Sequence, residues 1–138
     1  MKELKRAIQE ADQIVARIPV DPDRPVLKVG MVGEIYLVME SFANHEIEEN
    51  LAKQGIEVVR NQYISHWLKH SLFPPKHLLK QADPYLRHSA GGHEKENIGY
   101  ILKYHQMGFA GIIHLLPFGC MPELVTQSLI PALSVNLD

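Results

Sequence analysis

The chain reads as an α/β domain built on a parallel sheet, and three stretches of sequence carry that expectation. Val26 to Val32 is a short apolar run with β-branched residues, and Ile56 to Arg60 is another. Between them, from Asn44 to Gly55, the pattern is helical. A strand–helix–strand order implies parallel pairing with a right-handed crossover. Ala110 to Leu116 supplies a third strand with helical segments on either side of it.

Each element has its own signal. In residues 1–18, Leu4, Ala7, Ile8, Ala11, Ile14, Val15 and Ile18 fall on one face at helical spacing, so an amphipathic helix is expected, packed on the domain from outside or belonging to a neighbouring segment. The Asp21-Pro22-Asp23-Arg24-Pro25 stretch ends that helix, giving a helix and linker over 1–25 and a domain over 26–138. Asn44 suits an N-cap, with Glu46 in the first turn. Ile47 and Leu51 share a face there, Glu49 and Lys53 form an i,i+4 pair, and Gly55 suits the C-terminus. Short helices are expected at Ile64 to Leu72 and Lys76 to Ala82, punctuated by Pro74-Pro75 and Asp83-Pro84. After Gly91-Gly92, the spacing of Ile98, Ile101, Leu102 and His105 predicts a helix that Gly108 ends. The last predicted helix runs from Pro122 to Leu133, with Pro131 expected to kink or shorten it. The sequence reaches Asp138 just after this helix, where a doubly wound fold ordinarily adds a strand, so a fragment of a larger polypeptide is expected.

Composition narrows the function classes. At 138 residues the chain has the size of one domain with a real core. With 46% hydrophobic and 22% charged residues it is ordinary for a globular protein. A formal net charge of −2 gives no electrostatic case for nucleic acid or an anionic membrane. There is no apolar run of spanning length, and the N-terminus lacks the apolar core of a signal peptide. A single cysteine precludes an intrachain disulfide and suits a reducing compartment, so a cytoplasmic location is expected. The eight histidines are scattered, without zinc-finger spacing.

Candidate chemistry centres on Cys120, which lies in a Pro/Gly loop between the third strand and the last helix. Carboxyl ends of sheet strands are where α/β folds place ligating groups. A thiolate is the soft donor an iron–sulfur cluster needs, and a helix start favours the anion. The competing reading is a small buried hydrophobe. One cysteine does not hold a cluster, so any other thiolates would lie elsewhere. Glu34 follows the first strand as Cys120 follows the third, so both could face one crevice. The nearby Gly30 and Gly33 lack the dinucleotide and phosphate-loop patterns and read as a tight turn. Gly91, Gly92 and His93 open a helix, where backbone N–H groups can hold a thioester oxygen or a phosphate. A flexible loop with acidic residues complementing the helix dipole is an equal alternative. His66 and His70 share a helix face, a geometry able to bind metal, but no third ligand stands at a convincing spacing. They are read as partly exposed surface histidines. His114 in the third strand is read as a hydrogen-bonded core histidine.

Four segments resemble one family. They are Lys28 to Tyr36, Gly91 to Glu94 with Ile98-Gly99, Gly108 to Ile113, and Leu116-Pro117-Phe118-Gly119-Cys120-Met121-Pro122-Glu123. Together, from about Val26 to Ser134, they resemble the dehydratase-component-like domain of the 2-hydroxyacyl-CoA dehydratase and CoA-substrate-specific enzyme activase-related family. The resemblance implies a flavodoxin-like three-layer doubly wound fold, with Cys120 as one ligand of a [4Fe–4S] cluster. It further implies an acyl-CoA substrate and an ATPase activator module, in cis or in trans, that supplies low-potential electrons. Glu34, Gly91, Gly92 and His93 are the matching candidates for cofactor or substrate contact. The ATPase motifs are absent, so the chain is not the activator, and without further cluster cysteines it is not expected to turn over alone. Two other functions compete: a non-catalytic docking domain of the same multidomain protein, and a small module binding nucleotide or flavin, against which the missing phosphate loop counts.

Overall fold

A computed structural model describes residues 2–21 and 23–137; Met1, Pro22 and Asp138 lie outside it. Three strands, β1 (Leu27–Gly33), β2 (Ile56–Arg60) and β3 (Gly111–Leu115), form a parallel sheet in the order β2–β1–β3. Val29 of β1 stands beside Val58 on one side and Gly111 on the other. The central strand is buried from Gly30 to Gly33, whereas the two outer strands are mostly half-buried. That gradient is why the β1 sequence is the most continuously apolar of the three.

The helices are α1 (Lys2–Val15), α2 (Ile35–Met39), α3 (Ile47–Ala52), α4 (Ile64–Leu72), α5 (Lys76–Ala82), α6 (Glu94–Gln106) and α7 (Met121–Leu137). The core forms where α6 lies on the sheet with α5 and α7 against it. Val32, Leu78, Ala82, Ile98, Ile101, Tyr104 and Leu133 are buried together there. Gly30 makes this approach possible, because a Cβ at that position would sit 2.2 Å from the Tyr104 ring. Shorter helices α2 and α3 contact β1 and β2. This is an α/β domain with a three-stranded parallel sheet flanked by helices.

β2, α4 and α5 occupy the spans that the sequence predicts. Other elements differ for identifiable reasons. Helix α1 forms, but none of its residues is buried, and Leu4 and Ile14 are each 65% exposed. Its apolar stripe therefore has no partner among the described residues, and of the two placements expected for it, packing on the domain is not seen. The short α2 was not expected; it exists because the Glu34 carboxylate caps it, accepting from Leu37 N at 3.0 Å. Helix α3 starts at Ile47, later than Asn44 suggests, because His45 and Glu46 adopt positive φ. Asn44 still caps from that distance, its Oδ1 accepting from Ile47 N at 3.3 Å. In the last turn of α6 Tyr104 is buried, while His105, expected on the apolar face, is exposed. Helix α7 runs through Pro131 to Leu137. The carbonyl left without a helical donor belongs to Gln127, an exposed residue that water can reach, so the proline is tolerated. None of the described helices is long and apolar enough to cross a membrane.

Candidate functional site at the carboxyl edge of the sheet

Backbone geometry creates the edge. Gly33 closes β1 at φ +143°, and a Cβ on it would lie 2.0 Å from the carbonyl oxygen of Leu115. Only glycine fits that position. The next residue, Glu34, then donates its N–H to Leu115 O at 2.9 Å, which holds the ends of β1 and β3 side by side. The chain leaves β3 through Leu116-Pro117 and turns, with Cys120 N donating to Pro117 O at 3.3 Å. Cys120 O accepts from Leu124 N at 2.9 Å, the first helical bond of α7. Cys120 is therefore the residue that opens α7, half-buried and without a disulfide.

The Gly91-Gly92 loop meets the Cys120 loop directly. A Cβ on Gly92 would lie 2.5 Å from Pro122 Cγ, so the proline ring rests on the bare glycine. The N–H groups expected to bind an external anion are engaged within the chain. Glu94, fully buried, accepts from Ser89 Oγ at 2.6 Å, from Gly92 N at 3.1 Å and from Ala90 N. Gly91 N donates to Ser89 Oγ at 3.0 Å. Burial alone pushes the Glu94 carboxyl upward, but these hydrogen bonds outweigh it and hold its pKa below the usual carboxylate value. The carboxylate of Glu94 is thus the anion of this loop, and His93 serves as the N-cap residue of α6. Glu34 is likewise committed, through one oxygen, to capping α2.

Beneath the two loops lies a buried polar network that the sequence does not announce. Glu123, 1% exposed in the first turn of α7, receives His114 Nε2 at 2.7 Å. Asn97 Nδ2 lies 2.9 Å from each Glu123 oxygen and 3.3 Å from Gly33 O, so its two hydrogens serve three acceptors. Gln62 Nε2 donates to Gly33 O at 2.8 Å and to Asn97 Oδ1 at 3.1 Å. Both neighbours are acceptors, which fixes the Gln62 amide with nitrogen inward and leaves its Oε1 buried without a partner among the described residues. The network ties the ends of all three strands to α6 and α7. His114 is the hydrogen-bonded core histidine that the sequence suggests. Of the rest only Asn97 left a trace in the sequence, a polar residue one turn before Ile101 on the apolar face of α6.

Comparisons with protein-family models, with curated proteins and with solved structures found no match for this chain.

The donor set tests the iron–sulfur expectation. Cys120 offers one thiol on a half-buried turn. Among the described residues no group of three or more His, Cys, Asp or Glu side chains converges on one point. Among the described residues, the chain by itself brings one cysteine donor to such a cluster.

Proposed function

We propose that this domain presents Cys120 as a single thiolate ligand to a [4Fe–4S] cluster whose remaining ligands come from outside these residues, within an electron-transfer system acting on CoA thioesters. The proposal includes a flavodoxin-like, doubly wound architecture belonging to a longer polypeptide. The observation that supports it best is the position of Cys120, at the carboxyl edge of a parallel sheet and opening α7, on a turn braced from two sides. Pro122 rests on Gly92, and Glu123 is locked into the buried network. A thiolate held this way has few conformations to lose on ligation. When bound, a cluster supplies one-electron chemistry at low potential. The chain's own residues fix the backbone that carries the thiol, and acyl-CoA and the ATPase activator module are the proposed partners.

The test isolates the tagged protein, without oxygen, from the cells that make it, so that any component carrying the other ligands stays attached. Iron and acid-labile sulfide are measured beside a Cys120→Ser variant. Iron and sulfide present in the parent and lost in the variant are expected. Equal iron in both, or none in either, ends the ligand assignment.

One observation favours a second reading, a docking domain in which Cys120 is structural. Phe118 is completely exposed on the same turn, and Met121 and Leu124 are 61% and 45% exposed just after it. An apolar rim of this kind suits a protein partner. Retention of iron in Cys120→Ser, together with loss of the partner in Phe118→Ser, would select it.

A further inference from the structure

Helix α4 carries a second constellation. His66 and His70 stand one turn apart with their rings stacked, centroids 5.9 Å apart and planes at 28°. Each ring is fixed through Nδ1. That of His66 faces Asn61 O at 2.8 Å, and that of His70 faces Glu96 Oε2 at 3.1 Å. A carbonyl and a carboxylate both accept, so each Nδ1 carries the hydrogen. In the neutral rings the lone pair is then on Nε2. Neither Nε2 has a hydrogen-bond partner among the described residues. An imidazole whose other nitrogen donates to a carbonyl or carboxylate is the arrangement that orients metal ligands and raises their basicity.

Both rings line a cavity between α4 and the start of α6 with His93, Glu96 and Gln62. Its volume is about 10 Å³, at the lower limit for one ion or one water. With nitrogen–metal bonds of about 2.0 Å, tetrahedral chelation places imidazole centroids roughly 5 Å apart. The rings stand slightly wider than this, at 5.9 Å.

We propose that His66 and His70 bind one divalent transition-metal ion, Zn²⁺ or Cu²⁺, through both Nε2 atoms, with water completing the coordination and Glu96 as the positioning residue for His70. Borderline ions prefer imidazole, and the hard ions Mg²⁺ and Ca²⁺ do not. This site is independent of any cluster at Cys120.

The experiment titrates ZnCl₂ into the full chain carrying Cys120→Ser, so that the thiol does not compete, and follows binding by calorimetry. One ion per chain is expected. His66→Ala and His70→Ala should each weaken binding by at least about tenfold, and Glu96→Ala by about tenfold through the lost orientation of His70. His105→Ala, an exposed histidine elsewhere, should leave affinity unchanged. Electron paramagnetic resonance of the Cu²⁺-loaded chain counts the nitrogen ligands without any histidine substitution, and two imidazole nitrogens are expected. No uptake below millimolar metal, affinity unchanged in both histidine variants, or a spectrum without two nitrogens would each overturn the site.

Discussion

Gly33 carries more of this structure than its size suggests. Its positive φ and the 2.0 Å approach to Leu115 O leave no room for a side chain. Its carbonyl also receives Gln62 and Asn97. Gly33→Ala is expected to cost more than about 4 kcal/mol, in the range reserved for combined backbone and packing conflicts. Urea unfolding, or loss of soluble protein, measures this, and a midpoint close to the parent's would contradict the close approach. Glu123 makes a different prediction. Glu123→Gln keeps the shape but turns an amide donor toward His114 Nε2 or Asn97 Nδ2, and a loss of about 2–3 kcal/mol is expected from the buried mismatch. Glu94 gives a dependence on pH. Its folded pKa is depressed below 4.5, so its hydrogen bonds contribute in full above that value and are lost as pH falls through the folded pKa. Glu94→Gln should be less stable than the parent by about 2 kcal/mol near neutral pH. The gap should narrow as the solution is acidified below 4.5. Paired urea titrations across that range decide it; a gap that is constant or widens with acid removes the assigned cause.

Secondary structure was legible in the sequence wherever one signal acted alone. β2, α4 and α5 have clean boundaries because Gly55, Pro74-Pro75 and Asp83-Pro84 punctuate them without competition. α2 was not legible, since five residues carry no period and the helix rests on a single local cap from Glu34. α7 outran its predicted end because Pro131 removes only one bond from an exposed turn. Packing between helices supplies a further test. A Cβ on Gly99 of α6 would lie 2.7 Å from both Leu78 Cγ and Leu78 O of α5. Alanine is favoured over glycine inside a helix by about 1 kcal/mol, yet here the backbone oxygen does not yield as a side-chain tip would. Gly99→Ala is therefore expected to lower the thermal midpoint, and a raised midpoint would show that α5 and α6 are less tightly seated.

Taken as one object, the domain places nearly all of its buried polar chemistry at a single end of the sheet. The topology does this: parallel strands end together, and the loops that follow β1 and β3 meet the start of α6 and α7 there. Cys120 and Glu34 were legible at that edge because strand ends can be read from apolar runs. Asn97, Glu123 and Gln62 were not, because their roles depend on side chains from three distant segments converging in space. The opposite case is the N-terminal segment, where a strong local pattern has no tertiary counterpart. Every described residue from Lys2 to Lys28 is exposed, including the whole apolar stripe of α1. A segment that buries nothing contributes nothing to the cooperative core. Deleting residues 2–20 should therefore leave the unfolding free energy of the rest within about 0.5 kcal/mol. The same deletion should remove the helical circular dichroism of α1 and reduce any self-association through its stripe. A large fall in stability of the truncated chain would show that α1 does pack on the domain in solution, and that its exposed stripe has its partner within this chain.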